Sequence, residues 1–214
     1  MGQFEGRAVA CFRGGRMVFQ DLSFALAPGG AALVLGPNGS GKSSLLRLLA
    51  GLLKPAAGNL IYDGRPVAAD PDPHHGRIAY LGHLNAIKAV LSVRENVATW
   101  LPGGAAASTA ADAALERFGL LPLAAQPARL LSAGQRRRLA LARLTARGGK
   151  IWLLDEPSVG LDRESQRSLE AVVARHRAAG GLVFLASHTA IELPDAIELN
   201  LSDHRPDRLP ELIW

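Results

Sequence analysis

The sequence predicts an α/β core that carries a helical insertion and a β-rich N-terminal edge. Residues 31–35 form a short, wholly apolar run that ends in glycine, which is typical of a strand buried on both faces. Leucines then recur at helical spacing from Leu45 to Leu53. Two more apolar runs, at 151–154 and 182–186, flank a helical pattern from Glu164 to Arg177. Strands that alternate with helices in this order indicate a parallel sheet.

The other elements surround this core. The leucine-rich helix is expected to run until Lys54-Pro55 stops it. Residues 59–67, with the turn signal Tyr62-Asp63-Gly64, predict a hairpin in a small antiparallel sheet with the N-terminal strands. A further strand is predicted at 78–81, and the chain from Ser92 to Arg147 is expected to be mostly helical.

Length and composition favour one globular domain over residues 1–214. The chain has 214 residues, of which 48% are hydrophobic and 20% charged, enough to bury a substantial core. No apolar run approaches the ~20 residues that span a bilayer, and residues 1–6 lack the features of a signal peptide. The protein is therefore expected to remain in the cytoplasm. Cys11 is the only cysteine, which excludes an intrachain disulfide and a cysteine-based zinc cluster.

The positive charge is compatible with two kinds of partner. A formal charge of +5 suits nucleic acid or an anionic membrane surface. The densest basic cluster, Arg136-Arg137-Arg138, lies inside a helical pattern, and no aromatic-rich basic ribbon accompanies it. We therefore expect no nucleic-acid partner, whereas docking on an anionic inner leaflet fits the charge.

A phosphate-binding loop follows the first apolar run. Its context, an apolar strand before and a leucine-rich helix after, is the one that the motif requires. Glycines allow backbone N–H groups to surround phosphates, the lysine supplies a positive charge, and the hydroxyl of Ser43 can bind Mg²⁺. The predicted nucleotide-binding residues are Gly36, Pro37, Asn38, Gly39, Ser40, Gly41, Lys42, Ser43 and Ser44.

Two further segments complete the chemistry. Asp155 and Glu156 end an apolar run, at the strand end where open α/β sheets bind ligands. Asp155 is predicted to hold Mg²⁺ through water, and Glu156 to activate the water that attacks a terminal phosphate.

The segment Leu131-Ser132-Ala133-Gly134-Gln135, which we call the signature segment, starts a helix with Ser and Gly. Free N–H groups and the helix dipole make it a second anion site.

Together these motifs resemble, over essentially the full length of the chain, the nucleotide-binding subunits of ATP-binding cassette (ABC) transporters. The resemblance implies a P-loop ABC ATPase fold, with a RecA-like core, an N-terminal antiparallel β subdomain and a helical subdomain at about 88–145. It also implies ATP and Mg²⁺ as cofactors and a head-to-tail homodimer with two shared ATP sites. By the same resemblance Lys42, Glu156 and His188 are catalytic. The signature segment and Asp162 contact the partner protomer's ATP.

Three positions depart from the usual pattern of that family. Ala133 replaces a glycine, which is tolerable where φ is negative and crowded where φ is positive. The expected adenine-stacking aromatic is Phe12, although Arg13 beside it could serve instead. His83 stands where a metal-contacting glutamine is usual, so it is either a substituted metal or water contact or a surface residue.

The segment 82–96 resembles one subgroup, the ATP-binding subunits of the cytochrome c maturation (Ccm) system. The resemblance implies that ATP hydrolysis drives haem export or release of a haem-loaded chaperone. The partners would be integral membrane subunits docked near His83 to Asn96, with this chain peripheral on the cytoplasmic face of the bacterial inner membrane. The alternatives are another small exporter ATPase or a soluble, non-transport ABC ATPase. The other histidines, His74, His75, His176 and His204, are interpreted as solvated.

Overall fold

A parallel sheet and an antiparallel sheet form the framework of the computed structural model, which describes residues 2–103, 105–188 and 191–206. The antiparallel sheet has the order β2-β1-β4-β5. Its strands are β1 (Phe4–Arg13), β2 (Arg16–Leu26), β4 (Ala57–Tyr62) and β5 (Arg65–Pro66). The predicted hairpin is present between β4 and β5. Asp63 and Gly64 at its tip have φ values of 53° and 76°, the pair of positive angles that a type I′ turn needs.

The parallel sheet has the order β6-β7-β8-β3-β9. Its strands are β3 (Ala31–Leu35), β6 (Ile78–Leu81), β7 (Ile151–Asp155), β8 (Leu182–Ala186) and β9 (Ile197–Asn200). Every residue of β7 and β8 is buried, which is the reason for their unbroken apolar sequences. The sequence did not predict β9, because this edge strand is largely exposed and carries polar residues.

The α-helices fall into two sets, one packed near the parallel sheet and one that forms a helical group of its own. Beside the sheet lie α1 (Lys42–Leu49), α2 (Pro71–Arg77) and α6 (Arg163–Ala178). The stretch predicted to be mostly helical contains α3 (Val93–Ala98), α4 (Ala105–Arg117) and α5 (Ala133–Arg147). Apolar residues of this group share one continuous core with β7 and β8, so α5 is fixed rigidly to the strands that end at Asp155 and Ala186.

The leucine-rich helix is shorter than predicted. It ends at Leu49, because Ala50 is its C-cap and Gly51 takes the left-handed conformation, with φ of 75°. Leu52 lies beyond that turn and is 62% exposed. The helical spacing of leucines thus extends in the sequence to Leu53, four residues beyond the last residue of the helix, Leu49.

The interpretation of His74 as solvated was wrong. It lies in α2 and is 1% exposed, with Nε2 donating to the carbonyl oxygen of Leu49 at 2.8 Å. Its ring is 5.6 Å from that of Phe4. His176 is also not simply solvated, because its ring stacks on Trp152 at 4.0 Å. Both imidazoles are structural groups at the margins of the core.

Burial lowers the pKa of His74 below its ordinary value of 6.5. The unfolded chain therefore binds more protons than the folded chain as the pH falls below about 6.5, and the free energy of unfolding decreases. We expect wild type to lose more stability than His74→Gln between about pH 7.5 and about pH 5.5, measured by urea denaturation. His75→Gln, an exposed neighbour, is the control. Equal losses in wild type and His74→Gln would contradict this assignment.

Candidate functional site

The phosphate loop joins the end of β3 to the start of α1. Gly36, Gly39 and Gly41 have φ values of 141°, 79° and 105°, in the region that L side chains rarely adopt. A Cβ at Gly36 would stand 2.5 Å from Ser40 Oγ, so the loop has no room for a side chain there. The glycines of the motif are thus required by the backbone path that directs N–H groups towards a phosphate.

Lys42 is held inside this loop. Its side chain is 8% exposed, and Nζ donates to the carbonyl oxygens of Gly36 at 2.7 Å and Pro37 at 3.2 Å. Nζ also lies 3.1 Å from Nε2 of His188. Because an ammonium group can only donate, that ring nitrogen accepts.

Asp155 and Glu156 stand at the end of β7, as predicted. Glu156 has a φ of 50°, and its N–H donates to the carbonyl oxygen of Ala186 at 2.8 Å. Its Oε2 accepts from the backbone N–H of His188 at 3.2 Å, and Oε1 is 3.6 Å from Nε2 of that residue. Among the described residues, no group hydrogen-bonds Oε1. Oε2 of Glu156 is thus held by the protein, whereas Oε1 is buried and lacks a hydrogen-bond partner.

The residues present fit Mg²⁺. Oδ2 of Asp155 is buried and has no hydrogen-bond partner in the described part of the chain, which is costly unless a ligand satisfies it. Asp155 and the hydroxyl-bearing Ser43 line the same cleft. Both offer the hard oxygen ligands that Mg²⁺ prefers, with phosphate oxygens and water completing the set. Within the described ranges, no cluster of three or more His, Cys, Asp or Glu residues could hold a metal alone.

One cleft of about 1020 Å³ brings most of the predicted residues together. It is lined by predicted residues Asn38, Gly39, Gly41, Lys42, Ser43, Ser44, His83, Asp155, Glu156 and His188. Arg13, Gly14, Arg16, Val18 and Val159 line it as well. Of these, Arg13 alone was proposed from the sequence to contact the nucleotide. Gly14, Arg16 and Val18 come close because the β1–β2 turn and the start of β2 lie against the phosphate loop, a contact that no local pattern encodes. Val159 follows Glu156 after the end of β7.

The two adenine-stacking candidates differ in position. Phe12 is 56% exposed and does not line the cleft, whereas Arg13, the next residue of β1, does. A guanidinium plane can stack on an aromatic base. The geometry therefore favours Arg13 over Phe12 as the group that meets the base.

The signature segment forms the start of α5. Ser132 and Gln135 make a capping box: Ser132 Oγ accepts from Gln135 N at 3.2 Å, and Gln135 Oε1 accepts from Ser132 N at 2.8 Å. Ala133 is helical with a negative φ, so its methyl group causes no backbone strain. A Cβ at Gly134 would stand 3.0 Å from the carbonyl oxygen of Gly160. None of these residues lines the cleft around Lys42.

Asp162 and His83 occupy distinct positions. Asp162 caps α6, and its Oδ1 accepts from Ser165 N at 2.8 Å. That bond lowers the pKa of the Asp162 carboxyl, with a smaller contribution from Arg138. His83 is exposed and lines both the cleft and a second groove beside α5. The side chain of His83 could therefore contact a metal ion or water in the cleft, or a partner protein in the groove.

Sequence comparisons find relatives that match most of the chain. The family described as ABC transporter matches residues 19–159. The "Cytochrome c biogenesis ATP-binding export protein CcmA" of Rhodospirillum rubrum is 58% identical over 204 residues, covering 95% of this chain and 88% of the relative. A protein of the same name from Paramagnetospirillum magneticum is 55% identical over 202 residues, covering 92% of this chain and 93% of the relative.

Solved structures support the same fold. A putative ABC transporter ATP-binding protein from Pyrococcus furiosus superimposes with a TM-score of 0.82 at 24% identity, covering 95% of this chain and 100% of that one. The structure of an ATP-binding subunit of an ABC transporter gives a TM-score of 0.75 at 21% identity, covering 86% and 79%. At such identities these likenesses support the architecture alone.

Removal of the Lys42 ammonium is expected to weaken ATP binding. A hydrogen bond to a charged group contributes about 1.5–3 kcal/mol, so Lys42→Ala should raise the Kd for ATP by about 10- to 100-fold. The measurement is a titration with a fluorescent ATP analogue. Lys54→Ala, which removes an exposed lysine beyond α1, is the control and should bind like wild type. Wild-type affinity in Lys42→Ala would contradict the role given to this residue.

Proposed function

The chain belongs to the ABC transporter family, and we propose that it is the ATP-hydrolysing subunit of a membrane complex for cytochrome c biogenesis. The observation that carries the proposal is similarity over nearly the whole chain to proteins named as cytochrome c biogenesis ATP-binding export proteins. ATP hydrolysis would drive haem export or release of a haem-loaded chaperone. The complete phosphate loop and the acidic end of β7 support an active ATPase rather than a module that only binds.

The phosphate loop binds the nucleotide. Its N–H groups and Lys42 would hold the phosphates, and Arg13, which lines the same cleft, would meet the base. Mg²⁺, held by Ser43 and by Asp155 through water, would neutralise charge on the phosphate oxygens. The remaining requirement is a group that accepts the proton of the attacking water.

Glu156 is the proposed general base. Its carboxylate takes a proton as the water oxygen bonds to the γ-phosphorus and the bond from that phosphorus to the bridging oxygen breaks, which releases ADP and phosphate. His188 orients this carboxylate through its backbone N–H. The Nε2 of His188 lies 3.1 Å from Nζ of Lys42, which supports a contact of His188 with the γ-phosphate that Lys42 would bind.

The active form is proposed to be a head-to-tail homodimer. The signature segment has free helix N-terminal N–H groups but lies outside the cleft of its own protomer. Gly134 lies close to Gly160, since a Cβ built on Gly134 would stand 3.0 Å from the carbonyl oxygen of Gly160, and Gly160 precedes the helix cap Asp162. A second copy would bring this surface over the bound nucleotide, so each ATP would be enclosed by two chains. A protomer by itself should therefore hydrolyse ATP slowly.

Glu156→Gln is expected to bind ATP but to lower turnover by about 100-fold or more, because the amide cannot accept the proton. The variant should accumulate as a nucleotide-bound dimer, measured by light scattering with and without ATP. Wild-type turnover per protein should rise with protein concentration. Glu116→Gln, an exposed residue of α4, is the control. Normal hydrolysis by Glu156→Gln would refute the base assignment, and a monomer at all ATP concentrations would refute the dimer.

A groove beside α5 is proposed as the dock for the membrane subunits. It has a volume of about 540 Å³ and includes Tyr80, His83 and Leu84 on one side. On the other side Trp100 lies 5.2 Å from the guanidinium of Arg143 and 5.1 Å from that of Arg147. Leu84 is 82% exposed, an unusual position for a large apolar side chain unless a partner covers it. In the described ranges, no helix is long and apolar enough to cross a membrane.

Leu84→Asp is expected to abolish co-purification of the chain with integral membrane proteins, because a charge replaces an apolar contact. In a host that lacks its own copy, this variant should restore less than about a tenth of the c-type cytochrome that wild type restores, measured by haem staining. Leu52→Asp, at another exposed leucine, is the control. Membrane association of Leu84→Asp would refute the dock. Normal cytochrome maturation without any copy of the chain would refute the proposed function itself.

A further inference from the structure

Arg137 of α5 is the one arginine that is buried in the part of the chain the structure describes, at 5% exposure. It lies two positions beyond the signature segment, in a run of three arginines that the sequence left without individual roles. Burial lowers the pKa of its guanidinium, and the charges of Asp155 and Glu156 oppose that effect. A buried cation is costly unless every donor is satisfied, so its contacts are informative.

All five N–H donors of Arg137 have acceptors. Nε donates to the carbonyl oxygen of Pro157 at 3.1 Å. Nη2 donates to the carbonyl oxygens of Asp155 at 2.8 Å and Glu156 at 2.6 Å. Nη1 donates to the carbonyl oxygen of Gly82 at 3.1 Å and to Oδ1 of Asn85 at 2.9 Å.

Three of these acceptors are the consecutive backbone carbonyl groups of residues 155–157, and the middle one belongs to the proposed base, Glu156. Glu156 itself has a φ of 50°, a conformation that costs a non-glycine residue free energy and needs support from its surroundings. The guanidinium fixes the peptide planes before and after Glu156. Those planes determine the direction in which its carboxylate projects into the cleft.

The other two acceptors belong to the loop 82–86, which contains His83 and lines the groove beside α5. Arg143, on the same helix, also donates to this loop, at Asn85 O. Arg137 contacts both the loop and the backbone of Glu156. A displacement of the loop would therefore change the hydrogen bonds that hold the base.

We propose that Arg137 is a positioning residue, which holds Glu156 in the orientation needed for hydrolysis and makes that orientation depend on the loop 82–86. The inference rests on the proposed role of Glu156. Lysine cannot replace the arginine, because an ammonium group has three donors and lacks the planar fork that reaches five acceptors. Arg137 does not touch the phosphate loop in any of its five contacts, so nucleotide binding should not need it.

The first test is Arg137→Lys, which keeps the positive charge but replaces the planar guanidinium and its five N–H donors by an ammonium group. The kcat for ATP hydrolysis is expected to fall by about 10- to 100-fold while the KM for ATP stays within about threefold. Arg177→Lys is the matched control, because Arg177 donates to the backbone carbonyls of Gly29 and Pro194 away from the cleft. It should retain wild-type kcat. An unchanged kcat in Arg137→Lys, or a fall matched by Arg177→Lys, would overturn the proposal.

A double-mutant cycle separates positioning from general damage to the fold. In a Glu156→Gln background, Arg137→Lys should lower the residual hydrolysis by less than about twofold, because the group through which it acts is already disabled. A purely structural effect would lower the rate by the same factor in both backgrounds. Normal hydrolysis by Glu156→Gln alone would instead show that the proposed base is wrong.

A milder variant covers the case in which Arg137→Lys fails to fold. Asn85→Ala removes one acceptor of the guanidinium from the loop and leaves the backbone of Glu156 intact. It should lower kcat by about two- to fivefold at unchanged KM. A wild-type kcat in a folded Asn85→Ala protein would refute the dependence of the base on the loop 82–86.

Discussion

The parallel register of β7, β8 and β3 is the constraint on which the site depends. Asp155, Ala186 and Val34 are paired in one row across these strands, so the three strands end at nearly the same position along the sheet. Since parallel strands present their carboxyl ends at one edge, residues far apart in sequence meet there. Lys42 and His188 are 146 positions apart and come within 3.1 Å. A slip of one residue would turn the side chains of a strand to the opposite face and disperse the site.

The parts of the site that could be predicted are those whose chemistry demands particular residues locally. A phosphate loop needs glycine at left-handed positions and a lysine, and a buried strand needs an unbroken apolar run. The missed parts depend on tertiary contacts. Helix α2 has Pro71, Pro73 and Gly76 among its seven residues and shows no apolar period, yet it packs through His74. The five contacts of Arg137 join segments that are distant in sequence.

The capping box clarifies what the signature segment can bind. Ser132 Oγ and Gln135 Oε1 are engaged with backbone N–H groups of the same helix turn. The unsatisfied donors at this helix start are therefore the N–H groups of Ala133 and Gly134, whose side chains are the smallest available. A phosphate can approach these groups closely only where no large side chain intervenes. The alanine at 133 causes no backbone strain at this helix start, because its φ is helical and negative.

The contacts of Lys42 explain how one cleft holds both a cation for phosphate and a carboxylate that accepts a proton. Among the ion pairs of the described residues, none joins Lys42 to Asp155 or Glu156. The ammonium donates to two backbone carbonyl oxygens and lies beside an imidazole nitrogen. If it were paired with Glu156, an arriving phosphate would have to break a partly buried ion pair, and the carboxylate would accept a proton less readily. His188 contacts both groups and stands between them, so the positive charge stays available to the nucleotide while Glu156 stays available to water.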